Sequence, residues 1–159
     1  DKNKRGVKTI INLRGIRNCS SFFLEKETCE KHNIKLINFP VTSRAAPKAE
    51  TILAAKKLFN EIEYPIIMHC KSGADRAGLM SALYLILHKN VSVNEAKKQL
   101  SFKYLHIKHA KTGILDAFFD NYIKENHGAV IYESNPECEC NKLSLERKLF
   151  LEEVGLIVR

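Results

Sequence analysis

The stretch from residue 64 to residue 89 limits the fold more than any other part of the chain. An apolar run, Tyr64-Pro65-Ile66-Ile67-Met68-His69, stops at Cys70 and turns through Lys71-Ser72-Gly73-Ala74-Asp75. It resumes at Arg76 as a second, longer apolar run. The first run has the length of a buried strand and the second the length of a buried helix. A strand that feeds directly into a helix is the repeating unit of parallel sheets, whose helices cross back over the sheet faces.

The rest of the chain repeats this alternation. VKTIINL (7–13) is a β-branched apolar run and reads as a first strand, and IKLINFPV (34–41) as a second. Between them, residues 21–32 place Phe22, Phe23, Cys29 and the charged residues at helical spacing. Pro47 is placed to open a helix through TILAAKKLFNEIE. Ser92 is placed to cap one through EAKKQL, and Thr112 one through ILDAFFDNYIKE. From Gly128 the pattern is less regular: AVIYES, the polar NPECECN, then LSLERKLFLEEVG as an amphipathic helix. The expected fold class is α/β, one domain over 1–159, with a mainly parallel central sheet flanked by helices.

Charge and cysteine usage bear on partners. A formal charge of +8 favours anionic partners, phosphorylated substrates and anionic lipid among them; a lysine-rich solvated surface is the plainer alternative. A monomer is expected and a nucleic-acid partner is not, while peripheral membrane contact stays open. No apolar run approaches the roughly 20 residues needed to cross a bilayer. Five cysteines, scattered and odd in number, are not the framework of a small disulfide-bonded domain and favour a reducing, cytoplasmic compartment. The chain opens on Asp1, which leaves open a preceding leader or anchor and with it a periplasmic or membrane-tethered location.

Chemistry is expected where the 64–69 strand meets its loop, because sites in such sheets form at the carboxyl ends of strands. A loop with Gly73 among small residues can curl so that successive N–H groups of Lys71, Ser72, Gly73, Ala74, Asp75 and Arg76 converge on an anion. The following helix adds its free N–H groups and positive dipole end. Arg76 adds a planar fork that binds two phosphate oxygens at once. The field that holds a phosphate also favours a thiolate, which makes Cys70 a nucleophile facing its own oxyanion site.

His69-Cys70, five residues and then Arg76 resembles the H-C-x5-R signature of the cysteine-dependent protein tyrosine and dual-specificity phosphatases. VKTIINLRG resembles the first core strand of compact dual-specificity phosphatases, small bacterial ones in particular. The likeness spans about 7–125 and leaves 128–159 as an extension of unclear role. The resemblance implies hydrolysis of phosphate monoesters through a cysteinyl-phosphate intermediate on Cys70. It also implies no metal and no cofactor, and an aspartic general acid from a separate loop. The implied substrate is a protein carrying phosphotyrosine, phosphoserine or phosphothreonine, or a phosphoinositide-like molecule.

The sequence departs from that pattern twice. Ala77 stands where the family usually has a Ser or Thr that hydrogen-bonds the cysteine sulfur; Ser72 is a partial substitute. The loop after the second strand, Phe39 to Pro47, holds no carboxylate, and Glu50 falls in the first turn of the next helix, where the dipole alone favours it. Asp75 is the candidate replacement acid, since a similar Asp precedes the arginine in myotubularin lipid phosphatases and some secreted bacterial phosphatases. Its other reading is an N-cap for a helix starting at Arg76. Lys71 resembles the lysine of tensin-type phosphoinositide phosphatases, and is otherwise a solvated lysine at the rim.

Other residues carry weaker signals. Arg44 is either a substrate contact from the loop facing the site or a surface arginine. His69 is expected to order the loop. Lys103, His106, Lys108, His109 and Lys111 read as a solvated basic stretch that could touch anionic lipid. Cys29 reads as core, and Cys138 and Cys140 with His127 lack zinc-site spacing. Cys19, after the first strand, is expected on the same sheet edge as Cys70, where the two could form a disulfide on oxidation; an unrelated loop cysteine is the alternative. Two further function classes stay open: a phosphate-binding pseudophosphatase, given Ala77 and the missing loop acid, and a rhodanese-like sulfur carrier.

Overall fold

The computed structural model describes residues 6–122, 124–126 and 129–131, with side chains described over 6–120. Three short parallel strands form the sheet: β1 (Thr9–Asn12), β2 (Lys35–Asn38) and β3 (Ile66–His69), in the order β2-β1-β3. Ile11 pairs with Ile37 on one side and with Met68 on the other, one row of side chains on one sheet face. Asn12 pairs likewise with Asn38 and His69, and its row points to the opposite face.

The Ile11 face carries the main core. Helix α2 (Ala49–Glu61) buries Ile52, Ala55 and Phe59 against it. Helix α3 (Asp75–Leu87) is apolar on most of its circumference and buries Leu79, Met80, Leu83 and Ile86 in the same cluster. Helix α1 (Ser20–Lys31) lies on the Asn12 face, buries only Phe22 and Cys29, and leaves Phe23 exposed. The α/β class with a parallel sheet between helices is therefore as expected.

Element ends differ from the periodic reading where backbone chemistry overrides it. The α2 helix is capped by Lys48, so Pro47 lies outside the helix instead of opening it. Ser92 does cap, its Oγ accepting from Glu95 N at 3.3 Å, but α4 (Val93–Ala96) runs one turn and passes into a 3₁₀ turn at Lys97–Gln99. Thr112 sits inside a 3₁₀ turn (Lys111–Gly113) that leads into α5 (Ile114–Tyr122), so it is not a cap. That turn is fixed by close approach: a Cβ on Gly113 would lie 1.9 Å from Lys108 O. Beyond α5, β4 (Lys124–Asn126) and β5 (Ala129–Ile131) pair antiparallel, so Lys124 and Glu125 belong to a strand and not to the helix that the spacing predicts there. The expected helix at LSLERKLFLEEVG, and Cys138, Cys140 and His127, lie outside the described residues. Among the described residues no helix is long and apolar enough to cross a membrane.

Candidate active site

The β3 strand ends at His69, whose carbonyl oxygen accepts from Leu13 N at 2.9 Å, so the loop that follows springs from a strand end anchored to the sheet. Cys70 is half-buried, a free thiol packed against the edge of the main core. Lys71, Ser72 and Gly73 are exposed and Ala74 is buried. Gly73 has φ +75°, and the space around it is open, so glycine is needed there for backbone conformation and not for room. The ladder of α3 begins with Gly78 N donating to Ala74 O at 2.8 Å, which leaves the N–H groups of its first turn without intrahelical partners. The structure thus brings Cys70, the 71–76 loop and the start of α3 together at one point of the sheet edge. No ion pair is recorded for Arg76 among the described residues, and it lies at the first turn of α3.

Asp75 is the residue for which the structure adds most. The α3 helix starts at Asp75 with Ala74 as its N-cap and without a side-chain capping bond, so Asp75 is not the cap. Its Oδ1 lies instead 2.8 Å from His106 Nδ1. The other ring nitrogen, His106 Nε2, is 2.6 Å from Asp116 Oδ2. A ring with a carboxylate at each nitrogen is the setting of an imidazolium that donates twice. His106 is 2% exposed, in contrast to the solvated position expected of it. Burial pushes its pKa down, but the hydrogen bonds to Asp116 and Asp75, with the charges of the same two groups, outweigh this and raise it.

The remaining members of the expected basic stretch behave as read: Lys103, Lys108, His109 and Lys111 are exposed, with Lys108 Nζ 3.4 Å from Asp120 Oδ2. Arg44 is exposed on the loop after β2, where its backbone N–H donates to Thr42 Oγ1; its side chain makes no ion pair among the described residues. Glu50 is in the first turn of α2, as expected. Ala77 is buried in the core. His69 reaches back to α1, its Nε2 2.6 Å from Glu25 Oε1 but out of line for a hydrogen bond.

Behind His69, on the α1 side, a cavity of about 230 Å³ is lined by Arg14, Arg17, Cys19 and Glu25 among others. Cys19 sits at the N-cap of α1, its Sγ 3.4 Å from Ser21 Oγ. The Ser21 hydroxyl and then the Phe22 N–H lower its thiol pKa, burial opposes them, and the charges of Arg17 and Arg14 add smaller lowering effects. Cys29 is core, as expected, and burial with Glu25 and Glu30 pushes its thiol up. Among the described residues no group of His, Cys, Asp and Glu is arranged to hold a metal ion.

The fold is similar to that of several solved structures. TpbA of P. aeruginosa matches with a TM-score of 0.55 at 19% identity, over 72% of this chain and 66% of that one. A structure of a cysteine-to-serine TpbA in complex with phosphotyrosine gives 0.55 at 16%, over 89% and 74%. Tk-PTP in its active form gives 0.51 at 17%, over 73% and 80%. The chain spans just under two thirds of the first of these. A parallel sheet whose third strand runs through a cysteine loop into a buried helix is the dual-specificity-phosphatase fold. The sequence pattern of PTP-NADK, described as a DSP-PTPase phosphatase fused to NAD+ kinase, matches residues 3–114, and the chain belongs to this family. A comparison with curated proteins gives no significant match.

Proposed function

We propose that the protein hydrolyses phosphate monoesters through a cysteinyl-phosphate intermediate on Cys70. In this reading the N–H groups of the 71–76 loop and the Arg76 guanidinium hold the phosphate. The observation that carries the proposal is the junction itself: Cys70 at the end of β3, Gly73 at φ +75° and the free N–H groups at the start of α3. Such a curl presents donors to the equatorial oxygens of a phosphoryl group while the sulfur attacks phosphorus in line with the leaving oxygen. Asp75, at the base of the same loop, is the proposed acid for the leaving oxygen and the base for the water that later cleaves the S–P bond. Its side chain keeps 26% of its exposure, which leaves the carboxyl open on one side.

The proposed substrate is a phosphorylated protein or a phosphoinositide-like molecule. The phosphotyrosine held by TpbA supports the first; the exposed Lys71, beside the nucleophile, supports substrates with additional negative charge. One observation favours a second reading, a phosphate-binding pseudophosphatase: Ala77 is buried among apolar side chains, so its position offers the sulfur no hydroxyl. Turnover of p-nitrophenyl phosphate by the purified protein separates the two. Turnover that disappears in Cys70→Ser, with vanadate or phosphate binding retained, supports the enzyme; tight phosphate binding with no turnover by either protein supports the pseudophosphatase. Persulfide formation from thiosulfate would instead indicate sulfur transfer.

A further inference from the structure

The Asp75–His106–Asp116 cluster is more than a capping arrangement and lies outside the H-C-x5-R motif. Its members come from three places: the first turn of α3, the segment before the 3₁₀ turn at Lys111–Gly113, and the first turn of α5. The His106 segment is held by its own backbone, with His106 N donating to Ser101 O at 3.1 Å and Gly113 N to Ala110 O at 2.9 Å. The side chains of His106, Asp116 and Asp75 are 1%, 15% and 26% exposed, so the cluster runs from the interior outwards to the phosphate loop.

We propose that His106, oriented by Asp116, is the proton store for Asp75, receiving and returning the proton that Asp75 exchanges with the substrate. The inference rests on the phosphatase reading given above. At rest His106 is an imidazolium between two carboxylates, and the three groups together carry one negative charge. When a phosphate dianion occupies the loop, it disfavours the charge on Asp75, and the Nδ1 proton moves across the 2.8 Å contact to Asp75 Oδ1. The ring is left neutral, its Nε2–H still donating to Asp116. As Cys70 Sγ forms the S–P bond and the P–O bond breaks, the carboxyl group, by rotating about its Cβ–Cγ bond, gives its proton to the leaving oxygen. The products of this step are an alcohol, the cysteinyl phosphate and an Asp75 carboxylate. Water then attacks phosphorus and the S–P bond breaks with its electron pair on sulfur. Asp75 takes the water's proton and hands it back to Nδ1. Protons balance over the cycle, and no co-reactant other than water is needed.

The charged groups acting on His106 are Asp75 from α3 and Asp116 from α5; both hold its proton in place, and burial alone opposes them. This explains how an aspartate next to Arg76 and a helix N-terminus can become an acid: it does not have to hold its proton between turnovers.

The test compares wild type, His106→Gln and Asp116→Asn on a phosphoserine peptide and on p-nitrophenyl phosphate over pH 5 to 9, with Cys70→Ser assayed alongside. His106→Gln should lose roughly tenfold to a hundredfold in kcat/KM on the peptide, whose alkoxide needs a proton, and much less on the aryl phosphate. In Asp116→Asn, which keeps an acceptor for Nε2–H, the alkaline fall in rate on the peptide should move to lower pH. Equal losses on both substrates with an unmoved pH profile would overturn the relay and leave His106 as structural support. Independently of activity, long-range nitrogen–proton NMR of the wild type should show His106 as an imidazolium above the ordinary histidine range; a neutral ring at pH 6 would overturn the proposal even if no variant folds. Absence of wild-type turnover, or turnover unchanged in Cys70→Ser, overturns the phosphatase reading and the relay with it. Turnover that needs Cys70 but is unaffected by either relay variant overturns the relay alone.

Discussion

His106 Nδ1 lies 2.8 Å from Asp75 Oδ1, so a buried imidazole and the residue that precedes the loop arginine are joined across 31 positions of sequence. This contact changes what Asp75 can be. A carboxylate at the start of a helix is usually explained by the dipole and by capping; here its side chain makes no cap bond and turns toward a histidine.

Asp75→Asn keeps the size of the side chain and removes the carboxyl proton. We expect kcat on alkyl phosphates to fall by roughly 10²–10⁴ and a much smaller loss on p-nitrophenyl phosphate. The comparison of the two substrates is the check: equal losses would mean that Asp75 only shapes the loop.

The same pair predicts how stability varies with pH. The folded-state pKa of His106 is raised, so its contribution is fully present below the ordinary histidine value and is lost as pH rises through the raised one. The Tm of the wild type should therefore fall relative to His106→Gln on going from about pH 6 to pH 9. A Tm difference between the two proteins that stays constant over that range would contradict it.

Much of this frame was legible in the sequence, and the reason is physical. The run from Ile66 to His69 and the helix that follows, apolar on most of its circumference, stand out as apolar runs of strand and helix length. Cys70, the 71–76 loop and Arg76 fall at their junction because strand ends and helix starts are where backbone donors are free. His106 was not legible: it sits in a basic stretch whose lysines are solvated, and neither of its carboxylate partners lies at a helical or strand spacing from it. Its one local sign is the pair of flanking residues, Leu105 and Ile107, and both of those are exposed. Pro47 and Thr112 misled because single residues with a strong terminal preference can also sit one or two positions outside a helix.

Gly73→Ala should leave the global fold nearly intact and weaken the site. The φ of +75° strains any side chain by about 1–2 kcal/mol, while the surroundings offer no clash. Phosphate or vanadate affinity, measured by calorimetry, should drop by more than the Tm change implies; unchanged affinity would show that the loop does not need this conformation to bind.

The two thiols of α1 should differ in reactivity. Cys19, with its pKa lowered by Ser21, the Phe22 N–H and two arginines, should alkylate with iodoacetamide at neutral pH well before Cys29, which is buried and has its pKa raised. Peptide mapping after short exposure gives the order. In the same experiment with mild peroxide, a linked Cys19–Cys70 peptide would reveal a disulfide across the sheet edge, and its absence would limit Cys19 to a reactive surface thiol.

The central claim is that phosphate passes through Cys70. The direct measurement is rapid acid quench of the protein during turnover of p-nitrophenyl phosphate, followed by mass spectrometry of the peptide that carries residues 70–76. We predict a phosphate adduct on Cys70 that builds within the first turnover, is absent in Cys70→Ser, and is strongly reduced in Arg76→Lys, whose ammonium lacks the two-pronged fork. Steady turnover with no adduct on Cys70, or with the phosphate found on another residue, would contradict it.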